Sequence, residues 1–151
     1  MKIISHRANL NGPDINRENQ PWAIDECISL GYDVEIDLWV EANKLFLGHD
    51  KPEINISKHF MYSICKSAWI HAKNFEAVAW LSYPDYFSQS EYLNWFWHEK
   101  DKMTLTSRMI PWCYPDNYIQ GGVTVVFQPK PIPVKLHGVC TDYPENWNKY
   151  K

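Results

Sequence analysis

The sequence lacks the long apolar runs that membrane-spanning proteins need. No stretch of about eighteen consecutive apolar residues occurs in the chain, so we expect no transmembrane span. Its first residues lead directly into a predicted strand rather than into the apolar core of a signal peptide. Together these absences favour a cytoplasmic protein.

Paired cysteines and clusters of basic residues are missing as well. The four cysteines are far apart in the sequence and form no Cys-x-x-Cys pair, which indicates buried free thiols in a reducing compartment rather than a zinc ribbon or a redox motif. The net charge is −3 and the basic residues are scattered, so we expect no binding to nucleic acid.

The composition is that of a globular domain. Hydrophobic residues make up 45% of the 151 residues and charged residues 22%, a balance that supports one hydrophobic core in a chain of this length. No internal repeat, low-complexity tract or linker divides the sequence. We therefore interpret residues 1–151 as a single domain.

Strands and helices alternate through the first two thirds of the chain. The predicted strands there are Lys2–Ser5, Tyr32–Val40, Lys44–Leu47, Ala68–Ala72 and Trp95–Trp97. The predicted helices are Pro21–Leu30, Ser57–Lys66, Phe75–Leu81 and roughly Tyr86–Leu93. Later strand-like segments have short joins with little helix, and they are Met103–Thr106, Ile110–Tyr114, Val123–Phe127 and Gly138–Cys140.

This alternation predicts an α/β fold with a parallel sheet and helical crossovers. A full (β/α)8 barrel takes about 250 residues, so we expect a reduced (β/α)8 TIM-type barrel with missing or shortened helices in its second half. The flank left without helices would be covered by a second subunit if the protein forms a homo-oligomer.

Four of the six histidines directly follow an apolar or aromatic strand: His6, His49, His71 and His98. The carboxyl ends of parallel strands share one rim, where ligands bind in such folds. We therefore expect these side chains to converge in space. The remaining two histidines do not follow this pattern and are expected at the surface or in packing.

Two acids and a basic residue suggest the chemistry of that rim. Glu35 and Asp37 lie two apart on a strand and point to the same face, where they repel each other unless a cation or a proton is present. Mg²⁺ and Ca²⁺ prefer such oxygen ligands, although an edge strand with its polar face in water has the same pattern. Arg7 can hold a phosphate through two parallel hydrogen bonds, and His6 and His49 can exchange protons.

Four short motifs occur in a characteristic order: His6-Arg7, Glu18-Asn19, Glu35-x-Asp37 and His49-Asp50. In this order and spacing they resemble the glycerophosphodiester phosphodiesterase family of the phospholipase C-like phosphodiesterases. The resemblance covers about the first third of the chain well and continues more weakly through Lys73 and the Thr141-Asp142-Tyr143-Pro144 segment.

The resemblance implies a divalent metal ion and hydrolysis of a small-molecule phosphodiester, such as a lipid-derived glycerophosphodiester. It implies His6 and His49 as the acid–base pair, Glu35 and Asp37 as metal ligands, and Arg7 and Lys73 near the phosphate.

Two further residues are candidates for substrate binding. Asn19 belongs to one of the motifs, but it can instead cap the first helix. Trp97 can line a substrate pocket, but it can equally belong to the core.

The third strand departs from the family pattern. Where the family has Glu-x-Lys, this sequence has His71-Ala72-Lys73. Imidazole prefers Mn²⁺ or Zn²⁺ to Mg²⁺ or Ca²⁺. With His71 as a ligand, Mn²⁺ and Zn²⁺ therefore become alternatives to Mg²⁺ and Ca²⁺. Glu99 at the next strand end can also supply the missing oxygen. The alternative functions are a non-catalytic module that binds phosphate or sugar phosphate, and a lyase that forms a cyclic phosphate.

Overall fold

The computed structural model describes residues 1–83 and 93–150. Ten strands occur in this part of the chain: β1 Lys2–His6, β2 Asp33–Glu41, β3 Lys44–Leu47, β4 Ile54–Ile56, β5 Ala68–Ala72, β6 Asn94–Trp97, β7 Met103–Leu105, β8 Pro111–Cys113, β9 Val123–Val125 and β10 Gly138–Thr141. The helices are α1 Pro21–Ser29, α2 Lys58–Ser63 and α3 Phe75–Ser82, and a 3-10 segment, Pro144–Tyr150, follows β10.

All ten strands belong to one mixed sheet that curls into a half-barrel. Its main part is a run of parallel strands in the order β6-β5-β2-β1-β10-β9-β8. β7 pairs antiparallel with β8, and β3 and β4 form an antiparallel extension on the second half of β2. The strand ends that carry His6, His71 and His98 therefore share a rim, because β1, β5 and β6 run the same way. The strand before His49, β3, runs the opposite way.

The prediction of a reduced (β/α)8 TIM-type barrel is wrong. Three strands run antiparallel to the strands that they pair with, and α-helices are few in the described residues. The parallel crossover from β9 to β10 runs as a loop that contains Pro129, Pro131 and Pro133, and proline at alternate positions prevents a helix there. The predicted helix over residues 86–93 falls almost wholly outside the described residues.

The two faces of the sheet have different cores. On the outer face, Val34, Ile36 and Leu38 of β2 are fully buried among apolar residues of the helices. The inner face holds a smaller layer to which six parallel strands contribute one buried side chain each: Ile4, Trp69, Phe96, Trp112, Val123 and Cys140. Within it the rings of Phe96 and Trp112 stack with centroids 4.5 Å apart, which joins β6 to β8 across the interior.

The outer face of the second half is covered by chain rather than by helices. Val126, Leu136 and Trp147, from the β9–β10 loop and the 3-10 segment, belong to the same buried cluster as Val139 of β10. The flank that the sequence suggested would be exposed is thus shielded within the subunit.

The helix starts follow their sequence signals. Pro21 occupies the first turn of α1, the Ser57 side chain accepts a hydrogen bond from the amide of Phe60, and the Asn74 side chain accepts one from Ala77. Asn74 also bonds to both backbone groups of Val40, so the start of α3 is attached to β2. Within residues 1–83 and 93–150, none of the helices has the length and hydropathy to cross a bilayer.

Candidate functional site

A cavity of about 420 Å³ opens above the inner aromatic layer, at the carboxyl ends of the parallel strands. Six of the predicted site residues line it: His6, Arg7, Glu35, His49, His71 and Lys73. These residues come from four separate segments of the sequence. For the residues of β1 and β5 this convergence is what the strand-end pattern predicts, whereas His49 arrives from the antiparallel β3.

Asp37 lies directly behind this lining and is fully buried. Its Oδ2 is 3.2 Å from Nε of Arg7, and its Oδ1 is 3.3 Å from Nζ of Lys73. The Oδ1 atom has no hydrogen-bond partner among the described residues. Asp37 is therefore surrounded by cationic groups, and its Oδ1 has an ion-pair contact with Lys73 but no well-aligned hydrogen bond within the described part of the chain.

Asn19 holds Asp37 rather than capping α1 or reaching the cavity. Its amide nitrogen donates to Oδ2 of Asp37 at 3.0 Å, and its side-chain oxygen accepts from the Asp37 amide at 2.9 Å. The backbone of Asn19 has a φ of 60°, and its backbone N–H donates a hydrogen bond to the carbonyl oxygen of Arg7. Asparagine tolerates this left-handed conformation better than most residues, which explains the residue type at this position.

Trp97 does not line the cavity. It lies on the outer face of β6, where its ring stacks on Phe75 of α3 with centroids 5.5 Å apart. Alternation along β6 instead directs Phe96 inward.

The chain turns sharply after β1 in a strained conformation. Arg7 and Ala8 have φ values of 51° and 67°, which costs about 1–2 kcal/mol for each non-glycine residue. The turn directs the Arg7 amide to Oε2 of Glu35 at 3.2 Å and its guanidinium to Asp37. Strain of this kind persists where the surrounding structure imposes it, and it is concentrated at functional sites.

The hydrogen bond of His71 determines what its ring offers to the acids. Its Nε2 lies 3.1 Å from the carbonyl oxygen of His98, and a carbonyl can only accept, so Nε2 carries the proton. The other nitrogen, Nδ1, is 3.2 Å from Oδ1 of Asp37 and 4.0 Å from Oε1 of Glu35. These acceptors repel one another unless a proton sits on Nδ1 or a cation lies among them.

The donor set of Glu35, Asp37 and His71 fits a metal ion. One ligand atom from each residue lies within 4.8 Å of the others, and Oδ1 of Asp37 makes no well-aligned hydrogen bond in the described residues. A histidine whose second nitrogen is fixed by a carbonyl is the usual arrangement for a metal ligand. Two oxygens and one nitrogen suit Mn²⁺ or Zn²⁺ as well as Mg²⁺.

The two acids differ in their protonation. Burial and the neighbouring charge of Asp37 raise the pKa of Glu35. Burial also disfavours ionisation of Asp37, but its contacts with His49 and His71 and the charge of Lys73 outweigh burial and hold its pKa well below the ordinary value. Asp37 is the permanent anion of the site, whereas the charge on Glu35 depends on what occupies the site.

His6 belongs to a second hydrogen-bond chain. Its Nδ1 is 2.8 Å from Oδ1 of Asp142, which also accepts a bond from the side chain of Asn9 at 2.8 Å. Burial alone lowers the pKa of His6, but the bond to Asp142 and the charge of Glu35 outweigh it, so that the pKa lies above the ordinary value. Asp142, from the segment in which the family resemblance continues only weakly, thus lies against His6.

His49 reaches the cavity from a hairpin rather than from a barrel strand. It follows β3, and Gly48 before it has a φ of 155°, where a Cβ atom would lie 2.2 Å from the carbonyl oxygen of Lys51. The ring has Nδ1 3.5 Å from Oδ2 of Asp37 and Nε2 3.3 Å from a guanidinium nitrogen of Arg7. With 41% of its side chain exposed, His49 is the more accessible of the two predicted acid–base histidines.

The wall opposite the charged residues is aromatic, and its residues Tyr114 and Phe127 were not predicted. Trp112 and Tyr114 from the end of β8, and Phe127 after β9, line the cavity there. His98 packs against Tyr114 with ring centroids 4.2 Å apart, and burial together with the charge of His71 lowers the pKa of His98 to about 4. Tyr114 and Phe127 follow strands as the histidines do, so the same strand-end signal identifies them.

The chain matches no protein-family model, no curated protein and no solved structure. The resemblance to the glycerophosphodiester phosphodiesterases therefore stays a prediction, and the geometry of the cavity is what supports a function.

Proposed function

We propose that the protein is a metal-dependent phosphodiester hydrolase of the glycerophosphodiester phosphodiesterase type. The observation that carries this proposal is the convergence of Glu35, Asp37 and Nδ1 of His71 on one wall of a cavity that His6 and His49 also line. Such a site combines a place for a divalent cation with two imidazoles beside it. Nε2 of His6 is 3.9 Å from Oε2 of Glu35, and Nδ1 of His49 is 3.5 Å from Oδ2 of Asp37.

In this proposal the metal ion is held by Glu35, Asp37 and His71. A divalent cation in such a position offsets charge that develops on the phosphoryl oxygens. Arg7 and Lys73 line the same cavity and hold the phosphate by charge and hydrogen bonds. The substrate is a small phosphodiester, and the working compartment is the cytoplasm.

The two histidines divide the proton transfers. His6 has a raised pKa and a carboxylate on its Nδ1, which favour a proton on Nε2, and His6 donates this proton to the leaving oxygen. His49 takes the proton from the attacking group, either water or a hydroxyl of the substrate, as its oxygen bonds to phosphorus and the bond to the leaving oxygen breaks. Attack by that hydroxyl forms a cyclic phosphate, and attack by water gives the monoester directly.

The proposal is tested by assaying the purified protein with Mg²⁺, Ca²⁺, Mn²⁺ and Zn²⁺ against glycerophosphodiesters and bis(p-nitrophenyl) phosphate. We expect His6→Ala and His49→Ala each to lower kcat by at least about a hundredfold, the range for loss of general acid–base catalysis. The matched control is His59→Ala, since His59 is an exposed residue of α2. Activity that survives both cavity substitutions would end the assignment, and phosphorus NMR of the product identifies the route.

A second candidate function is a non-catalytic module that binds phosphate or sugar phosphate. It is favoured by the contacts of Asp37 with Arg7 and Lys73 at 3.2 and 3.3 Å, which compensate its charge without any metal ion. Calorimetric titration with Mn²⁺ distinguishes the two functions. Binding of Mn²⁺ that is lost in Asp37→Asn supports the hydrolase, whereas phosphate binding without any metal binding or turnover supports the module.

A further inference from the structure

The cavity has two chemically distinct halves. His6, Arg7 and Lys73 give one half its charge, whereas the other half is formed by Tyr114, Phe127 and their neighbours Pro115 and Val125. A phosphate group is accommodated by the first half alone. The second half must therefore face another part of any ligand that fills the cavity.

Two aromatic rings of that second half are exposed at the mouth. Tyr114 is 41% exposed and Phe127 is 49% exposed. Single exposed apolar side chains are ordinary on protein surfaces. Among the large hydrophobic residues exposed in the described part of the chain, however, Tyr114 and Phe127 are the ones that line this cavity.

The ring of Tyr114 and the backbone of Phe127 are held in position before any ligand binds. The hydroxyl of Tyr114 bonds to the carbonyl of Glu99 at 3.3 Å, and its ring packs on His98. The carbonyl of Phe127 accepts a bond from the Thr141 side chain, and the neighbouring amide of Val126 bonds to Cys140. Fixed aromatic surfaces bind a partner with little loss of conformational entropy.

We propose that Tyr114 and Phe127 form a subsite for a planar ring on the alcohol or phenol that is esterified to the phosphate, so that the substrates are aryl or nucleoside-type phosphodiesters. This inference rests on the proposed function. A planar ring offers its face to the aromatic side chains of the protein, whereas a glycerol group offers hydroxyls that find no polar partner on Phe127 or Val125. The Glu99 carboxylate, which lines the same region, disfavours a second phosphate there.

The first experiment measures binding by calorimetry with three monoesters that share the phosphate: phenyl phosphate, glycerol 3-phosphate and phosphocholine, each with Mn²⁺ present. We expect phenyl phosphate to bind about two- to tenfold more tightly than the other two, the range for an aromatic pair beyond simple burial. Phe127→Ala and Tyr114→Ala should abolish this preference. Phe127→Leu, which keeps an apolar side chain but has no ring face, should also weaken it.

The matched control is Phe75→Ala, because Phe75 is 80% exposed and lies on α3 outside the cavity. This variant should keep the preference for phenyl phosphate. Equal affinity for the three compounds, or tightest binding of phosphocholine, would overturn the planar-ring assignment.

Diester hydrolysis measured in parallel separates this inference from the proposed function. Hydrolysis of diesters with no preference for aryl over glycerol esters would overturn the subsite and leave the hydrolase standing. Ring-dependent binding that is lost in Phe127→Ala, without turnover with any of the four metals, would support the subsite and overturn the hydrolase. Neither binding nor turnover would overturn both.

Discussion

At the scale of single residues, the site is a contrast between two carboxylates of one strand. Glu35 and Asp37 are equally buried, yet burial and repulsion raise the pKa of the first, and cationic neighbours lower the pKa of the second. The difference arises from side chains that come from other segments of the chain. It makes Glu35 the acid that a metal ion would stabilise most.

This contrast predicts opposite effects of removing each charge in the metal-free protein. Glu35→Gln keeps an oxygen for the Arg7 amide and removes a buried charge, so it should raise the free energy of unfolding at pH 7 by about 1 kcal/mol. Asp37→Asn, the matched control, leaves Arg7 and Lys73 without their anion and should lower it. Chemical denaturation with and without EDTA measures both effects.

The pH dependence of the Glu35→Gln effect follows from the direction of the shift. A raised pKa means that ionised Glu35 destabilises the fold above that pKa, and that the penalty vanishes once pH falls below the ordinary glutamate value of 4.5. The gain from Glu35→Gln should therefore disappear in acid. A gain that persists below pH 4.5 would contradict this explanation.

The bond between His6 and Asp142 leads to a second prediction. Burial disfavours ionisation of Asp142, but the bond to His6 lowers its pKa below the ordinary 3.8, so its stabilising effect is present above that value and is lost as pH falls through the lowered pKa. Because the pKa of His6 is raised, protonated His6 stabilises the fold fully below pH 6.5, its ordinary pKa. This stabilisation is lost as pH rises through the raised pKa.

Asp142→Asn should therefore lower the free energy of unfolding most between roughly pH 4 and 6.5. We expect a loss of about 1–3 kcal/mol in the free energy of unfolding there, as for a buried hydrogen bond between charged groups. The loss of stability should become smaller at pH values below and above this window. Denaturation series at pH 3, 5.5 and 8.5 measure it, and a loss that does not vary with pH would argue against an ionic bond.

At the scale of elements, the β2–β3 hairpin decides where His49 lies. Glu41 pairs with Lys44, so the turn contains only Ala42 and Asn43, which have φ values of 47° and 61°. Two-residue turns with positive φ at both positions match the twist of a hairpin. Asparagine tolerates this conformation, whereas alanine is strained in it.

The turn predicts a matched pair of stability changes. Ala42→Gly should raise the free energy of unfolding by about 0.5–1 kcal/mol because glycine adopts positive φ without strain. Asn43→Ala should lower it by a similar amount, and both positions are exposed, so packing is not disturbed. Urea denaturation measures both, and destabilisation by Ala42→Gly would contradict the assigned turn.

At the scale of the whole molecule, the aromatic layer inside the half-barrel supplies the contacts between distant strands that a closed ring of strands and helices would otherwise supply. Trp112 is 4% exposed and its ring contacts both Phe96 and Trp69. Side chains from distant strands therefore meet at one residue. The layer also forms the floor of the cavity, which couples the stability of the fold to the shape of the site.

Removing this residue should therefore destabilise the entire fold. We expect Trp112→Ala to lower the free energy of unfolding by about 3–5 kcal/mol, as for other large buried aromatic residues. The control Trp22→Ala removes a tryptophan that is 55% exposed and should cost less than about 1 kcal/mol, the value of its cation–π contact with Arg17. Similar losses in the two variants would show that the inner layer is not what holds the sheet together.

Many of the elements were predictable because their signals are local. The bounds of β3 and β5 were predicted correctly, and Ser57 and Asn74 cap helices as their residue types indicate. β4 and the 3-10 segment were missed. The short strand Ile54–Ile56 gains its hydrogen bonds only from β3, and no local pattern distinguishes it from a loop.

By itself, the sequence determined that the chosen polar residues of β1, β2 and β5 would share a rim, because parallel strands place their carboxyl ends together whatever surrounds them. His49 reaches the same rim from the antiparallel β3. Only the tertiary structure decided that the sheet stays a half-barrel, since that depends on how proline-rich loops and inner aromatic side chains pack. It also decided the roles of Asn19, Trp97 and Asp142. Their partners are Asp37, Phe75 and His6, and contacts between residues distant in the chain leave no mark in local sequence patterns.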